Sequence, residues 1–318
     1  LTKEEKPFFL SLKIRSVLDR KYSNIRLPSI STIHAVLSRH GLVKKKGRSS
    51  LHSTGTALSE PVNPNDLWSA DYKGQFMLGN KRYCYPLTIT DNVARMILAC
   101  EAFDRIEEEA AFRVFERVFE EYGLPLGIRT DNGVPFSSAK ALFGLSRLSV
   151  WWLSLGISIE RIKPGNPQQN GRHERMHRTL KMQTTKPPAS NFLGQQEKFD
   201  RFIEEYNHER PHEALEMKCP IECYRPACRP YNGPQPFDYC MHDFTRPVDK
   251  SGNINIHRRR VFLTSALAGQ TIAITEQDDG IWGIYFRDYE LGFFDFESLE
   301  FEPGTNPFGP KVLPMSPV

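Results

Sequence analysis

Residues 66–215 switch repeatedly between two hydrophobic periods, alternation by two and recurrence near 3.6, and few architectures accept that order. Asp66–Phe76, Lys81–Ile89 and Arg95–Glu101 read as three consecutive antiparallel strands, with Gly79-Asn80 as a turn between the first two. Asp104–Tyr122 places Ala111, Phe115, Val118, Phe119 and Tyr122 on one side, with Glu107–Glu109 in its first turn. It reads as an amphipathic helix stopped by Gly123. A strand over Leu126–Thr130, a helix near 138–155 ending at Gly156 and a strand over Ile157–Ile162 come next. A basic helix and another near 195–207 complete the run. Three strands followed by strands alternating with helices point to an α/β unit, a mixed sheet with helices on both faces.

The basic helix carries the most chemistry. In Lys163–Lys181, KPGNPQQNGRHERMHRTLK, one acid, Glu174, stands among Lys163, Arg172, Arg175, Arg178 and Lys181. On a helix, Asn170, Glu174, Arg178 and Lys181 share a face. That face offers a carboxylate for a cation and positive groups for phosphates, although a solvated helix with ordinary ion pairs reads the same way. Upstream, Asp71 lies in NDLWSADYKGQF, and Asp131 ends an apolar strand in LGIRTDNGVPF. Two strand-end Asp residues and a helix Glu could hold two hard divalent cations. Such a pair, about 4 Å apart, serves in-line displacement at phosphorus. Asp66, Asp91, Asp104 and Glu160 are alternative acids that spacing leaves open.

These motifs resemble the integrase catalytic core of DDE transposases and retroviral integrases, and within that superfamily bacterial insertion-sequence transposases. The resemblance is carried by LWSADYKGQF, RTDNG and NPQQNGRHERMHRTLK, with CYPLTITDNVARMILACEAF and YNHERPHEALEMKCPIECYRP, and runs from about residue 30 to about 300. It implies a ribonuclease-H-like core, catalytic and metal-binding acids at Asp71, Asp131 and Glu174, and two Mg2+ (or Mn2+) ions. It further implies cleavage at transposon ends, then transfer of the freed 3′-hydroxyl into target DNA. Double-stranded DNA is the implied partner, bound by a homodimer or larger assembly. The 42 residues between Asp131 and Glu174 exceed the family's usual spacing, and the extra length is expected in SSAKALFGLSRLSVWWLSLG. Two other readings stay open: a ribonuclease-H-like nuclease that does not join strands, and a catalytically silent DNA-binding relic.

Charge supports contact with nucleic acid at one end. Residues 1–59 hold twelve Lys/Arg and three Asp/Glu, a net +9 against +4 for the whole chain. Residues 1–48 read as a helix-turn-helix region, with helical spacing over 4–22, a turn at Pro28-Ser29 and a second helix capped by Ser31 or Thr32. Ser31, Thr32, His34 and Arg39 would face DNA, and Lys44, Lys45 and Lys46 would add phosphate contacts. Residues 49–65 read as a linker, 66–215 as the core and 216–245 as an extended connection. Residues 246–301 read as a small antiparallel β-barrel of five strands with Arg258, Arg259 and Arg260 as a DNA-binding patch, and 302–318 as a tail. The polar cluster Tyr206–His212 reads as a hydrogen-bonded corner, with DNA contact by His208 and His212 as the alternative.

Cys84 and Cys100 are expected as buried thiols. Cys219, Cys223, Cys228 and Cys240, with His212 and His242, follow no common zinc spacing and read as free thiols of a cytoplasmic protein. No apolar run of about 18 residues suggests a membrane helix. No signal peptide precedes the first helix, and a start at Leu1 without Met suggests a fragment.

Overall fold

The computed structural model describes residues 11–22, 25, 27–42, 58–72, 74–163 and 167–308. Two helices open it, α1 (Ser11–Lys21) and α2 (Ile30–Arg39). Ile14, Ile33 and Leu37 form their small shared core, packed on by Val17 and Leu18. The cap of α2 is Ser29, whose hydroxyl accepts from the Thr32 N–H at 3.2 Å, and not Ser31 or Thr32. Ser29 leaves both of those hydroxyls inside the helix, hydrogen-bonded to its own side chain. The tail Lys44, Lys45 and Lys46 lies outside the described residues.

The central sheet contains β1 (Leu67–Tyr72), β2 (Phe76–Met77), β3 (Tyr83–Asp91), β4 (Ile97–Phe103), β5 (Gly127–Thr130) and β6 (Ser158–Arg161). β1, β2 and β4 all run antiparallel to β3, while β1–β5 and β5–β6 are parallel. The single strand expected over Asp66–Phe76 is thus two, parted around Gly74, a residue that weakens strands. Helix α3 (Glu108–Tyr122) links β4 to β5, and α4 (Arg147–Ser154) links β5 to β6. Helices α5 (Gly171–Thr184) and α6 (Phe192–Glu204) follow.

Strand alternation assigns the two faces. Trp68, Ala70, Leu87 and Ile89 point to one face, where Val114, Phe115, Phe119, Leu148 and Trp152 from α3 and α4 close over them. Each such large side chain contributes about 1.5–3 kcal/mol by leaving water. Cys84, Ile97 and Cys100 meet Met176, Leu180, Phe199 and Phe202 of α5 and α6 on the other face. The result is the expected ribonuclease-H-like core, a mixed sheet with helices on both faces.

Where a helix was expected near 138–155, only Arg147–Ser154 is α-helical. A short 3-10 turn at Leu142–Gly144 precedes it, with Phe143 at φ 53 and Gly144 at φ +66, a conformation a helix cannot run through. Ser146 then caps α4, accepting from the Ser149 N–H at 3.1 Å. Gly123 ends α3 at φ +80, and a Cβ there would lie 2.8 Å from the Arg229 carbonyl oxygen. The segment it admits is pinned by Arg229, which donates to Pro125 O and Leu155 O.

Among the described residues of the C-terminal part stand seven strands, not five: β7 (Phe244–Pro247), β8 (Asn253–Ile256), β9 (Arg259–Phe262), β10 (Thr271–Asp278), β11 (Ile281–Phe286), β12 (Tyr289–Asp295) and β13 (Glu300–Pro303). Their pairings give an open sheet, β13-β12-β11-β10-β7, and a separate β8–β9 hairpin, so the described strands do not close the expected barrel by hydrogen bonding. The two-residue turn His257-Arg258 sits at positive φ, the twist that tight hairpins require. Among the described residues, no helix is long and apolar enough to cross a membrane.

Candidate active site

The parallel pairing of β1 with β5 sets Leu67 beside Gly127, Trp68 beside Ile128 and Ser69 beside Arg129. The pairing ends at Ser69 and Arg129; Asp71 follows two residues on within β1, and Asp131 stands one residue past the end of β5. Alternation puts Asp71 on the face covered by α5, because Trp68 occupies the opposite face. Asp71 is half-buried. Asp131 accepts from the Gly133 N–H at 3.0 Å, a tight turn that fixes its carboxylate.

Helix α5 lies over this face through His173, Met176, His177, Leu180 and Thr184, all buried. Thr88 of β3 is the contact point. Its hydroxyl lies 2.8 Å from His173 Nε2 and 2.6 Å from His177 Nε2, and donates to the Asp71 carbonyl oxygen at 3.1 Å. Thr90 Oγ1 meets His173 Nδ1 at 2.7 Å. The remaining nitrogen of His177, Nδ1, faces Asp71 Oδ2 at 3.7 Å. Asp71, His173 and His177 are the group of His, Cys, Asp and Glu among the described residues whose ligand atoms lie within 4.8 Å of one another. Asp131 and Glu174 are not in it. The histidines were not singled out from sequence, although the 173, 176, 177, 180, 184 spacing marks a buried helix face. With three of their four ring nitrogens against Thr88 and Thr90, they fit a holding role better than a ligand set.

Glu174 is exposed in the first turn of α5, on the flank it shares with the exposed Arg178 and Lys181. Asn170, expected at the surface, is turned inward and accepts from the Ser69 hydroxyl at 2.9 Å, so it anchors the helix start to β1. Arg172 donates to the Asn92 carbonyl oxygen, and the backbone N–H of Lys163 donates to Gln169. The alternative acids are engaged elsewhere. Asp66 accepts from Val62 and Asn63, Asp104 from Arg82, and Glu160 from Arg129. Asp91 is buried, accepts three backbone N–H groups, and is pushed above its usual carboxylate range by burial. Oxygen donors at Asp71, Asp131 and Glu174 suit a hard divalent cation.

The other expected contacts lie apart. Ser31, Thr32, His34 and Arg39 are exposed on α2. Arg258, Arg259 and Arg260 are exposed around the β8–β9 turn, with Arg260 paired to Asp249 at 2.8 Å. Cys219 Sγ accepts from Arg20, which also pairs with Glu222 and so ties α1 to the segment after the core.

Residues 61–167 match the integrase core domain rve, and residues 155–220 match the integrase core domain rve_3, together half of the chain. The chain belongs to the integrase-core family. This integrase core is 26% identical over 172 residues to the insertion element IS407 uncharacterized 31.7 kDa protein of Burkholderia multivorans, covering 52% of this chain and 57% of that protein. It is 31% identical over 107 residues to the insertion element IS476 uncharacterized 39.2 kDa protein of Xanthomonas euvesicatoria, covering 34% of this chain and 29% of that protein. The match thus spans less than two thirds of either relative. Among solved structures, the HTLV-2 integrase catalytic core domain in complex with magnesium aligns with TM-score 0.41 and 16% identity, over 52% of this chain and 100% of that one.

Proposed function

We propose that this integrase core is a DDE-type transposase, a polynucleotidyl transferase that cleaves DNA at the ends of an insertion element and joins the freed 3′-hydroxyl to target DNA. The observation that supports the reading is the docking of α5, the helix bearing Glu174, on the sheet face of Asp71 through Thr88, His173 and His177. Family membership gives the class of chemistry, and the engagement of the alternative acids leaves these three for a metal.

Asp71, Asp131 and Glu174 would hold Mg2+ or Mn2+, two ions in all, which when bound supply charge neutralisation at the phosphate and a more reactive attacking oxygen. The chain's part is placement. His177 and Thr88 hold Asp71 on its strand end, the Gly133 N–H fixes Asp131, and α5 carries Glu174 across them. Arg178 and Lys181, on the Glu174 flank, grip the DNA strand next to the scissile phosphate, and Arg172 and Lys163 add positive charge near the helix start. Ser31, Thr32, His34 and Arg39 on α2, in a helix-turn-helix role, and Arg258 and Arg259 on the hairpin contact the duplex further away. Two DNA ends take part in such a reaction, so the acting form is a dimer or larger assembly on DNA in the cytoplasm.

The test is Mn2+-dependent nicking of supercoiled plasmid by the wild type and by Asp131→Asn. Loss of nicking by at least about a hundredfold in the variant is expected, because the interaction removed is made in the transition state. Equal nicking by both proteins would sink the assignment of Asp131. A strand-joining assay with pre-cut ends separates a transposase from a nuclease that only hydrolyses.

A further inference from the structure

Helix α5 has a second exposed flank, away from Glu174. Arg172, Arg175 and Thr179 line it, and they open onto a cavity of about 620 Å³. The other walls come from distant parts of the chain: Lys13 of α1, Arg95 of the β3–β4 turn, and the cluster Tyr206, Arg210 and His212. Five cations, Lys13, Arg95, Arg172, Arg175 and Arg210, thus meet around one space whose lining holds a single acid, Glu213.

We propose that this cavity is a phosphate-binding pocket that seats the backbone of a DNA segment on the side of α5 opposite the acids. Four cations of the lining, Lys13, Arg95, Arg172 and Arg175, enter no ion pair among the described residues; Arg172 spends one N–H on Asn92 O, and Arg175 spends its Nε on the carbonyl of Gly171. Lys13 and Arg95 are half-buried and Arg210 is buried, and like charges gathered there are costly unless a counter-charge arrives with a ligand. The strain shows in two ways. The Lys13 amine is pulled down to about 8 by burial and by Arg210. Arg95 is held at φ 63, a left-handed conformation that disfavours a non-glycine residue. Its Nε and the Nε2 of His212 are buried without a hydrogen-bond partner.

Guanidinium forks select planar or tetrahedral oxyanions that accept paired hydrogen bonds, which favours phosphate. The space exceeds a single phosphate and is open to solvent. It also adjoins α1, which belongs to the strongly basic N-terminal 59 residues. A continuous polyanion fits that layout better than a compact one. The corner Tyr206–His212 would then be a wall of the pocket, with Arg210 stacked over the Tyr206 ring at 5.8 Å. The proposal rests on the reading above only in naming DNA as the source of the phosphates.

The wild-type chain supplies the first test. Lys13, with its depressed basicity, is acylated by an amine-reactive ester at pH 8, and the rate is read by mass spectrometry without divalent metal. A 30-base-pair duplex is expected to slow acylation of Lys13 several-fold, whether or not inorganic tripolyphosphate also does. Protection by tripolyphosphate alone would overturn DNA as the occupant, and protection by neither would overturn the pocket. The double variant Arg95→Gln/Arg175→Gln, checked for an unchanged melting profile, gives the second test by fluorescence anisotropy. Its affinity for the duplex should fall about tenfold or more, and its slope of log K against log[salt] should shrink by about 2. Arg147→Gln, a single charge loss on α4 outside the pocket lining, should leave both unchanged. Equal affinity and slope in wild type and double variant refute the pocket. Absent nicking with intact DNA protection would count against the catalytic reading alone.

Discussion

His212 is held neutral by its surroundings. Burial, and then the charges of Lys13, Arg210 and Arg95, lower its pKa to about 3. The unfolded chain has an ordinary histidine near 6.5, so between about pH 6.5 and 3 the unfolded state takes up a proton that the folded state refuses. The stability this group contributes is complete above 6.5 and is lost as pH falls through that window. Urea midpoints measured at pH 7, 5.5 and 4 should therefore drop for the wild type, and drop less for His212→Gln. Parallel drops in the two proteins would refute the claim. The same scale separates the acids. Asp66, Asp91, Asp104 and Glu160 each have a partner that accounts for them, while Glu174 is exposed beside Arg178 and Lys181. Glu174→Gln is expected to abolish nicking while leaving duplex affinity within about twofold, because surface cations set that affinity. Equal loss of both would remove the division of labour proposed for α5.

Helix α5 works as an element with three sides. Its buried side docks on β3 through His173 and His177, its exposed Glu174 side carries the acid proposed for catalysis, and its Arg172 side lines the basic cavity. Thr88 fixes the rotation that makes this possible, since one hydroxyl serves both rings and the Asp71 carbonyl. Thr88→Val keeps the shape and removes those bonds from the buried rings. It should cost about 1–3 kcal/mol in chemical denaturation and reduce nicking more than duplex binding. A Thr88→Val protein as stable as the wild type would mean that the histidines are satisfied elsewhere. The three-sided character was half legible from sequence. The Asn170, Glu174, Arg178, Lys181 face was visible as a charge pattern, whereas Asn170 proved to be turned inward. A polar residue at a helix start reads alike whether it meets solvent or, as here, the Ser69 hydroxyl.

Across the whole molecule, the C-terminal strands and the integrase core share one hydrophobic cluster. Leu145, Val150, Leu153 and Ile159, from α4, β6 and the chain just before α4, pack with Ile254, Leu263, Ile272, Ile274 and Ile284. Units joined through a common core unfold together. Trp282 and the core tryptophans Trp68 and Trp152 should report coincident transitions, and Leu153→Ala should shift the joint midpoint by about 2–5 kcal/mol. Separate transitions in guanidinium, followed by fluorescence of Trp282→Phe against the wild type, would show independent units instead. The sequence by itself determined the order of strands and helices and the motifs around Asp71, Asp131 and Glu174. Periodicity, turns and stop signals are written in residues a few positions apart. Tertiary structure alone decided that Asp91 and Glu160 are structural, that two histidines stand behind Asp71, that the C-terminal pairings leave an open sheet, and that Lys13, Arg95, Arg175 and Arg210 converge. Those outcomes depend on which partner a charge or ring finds tens of residues or more along the chain, and that choice is made by packing.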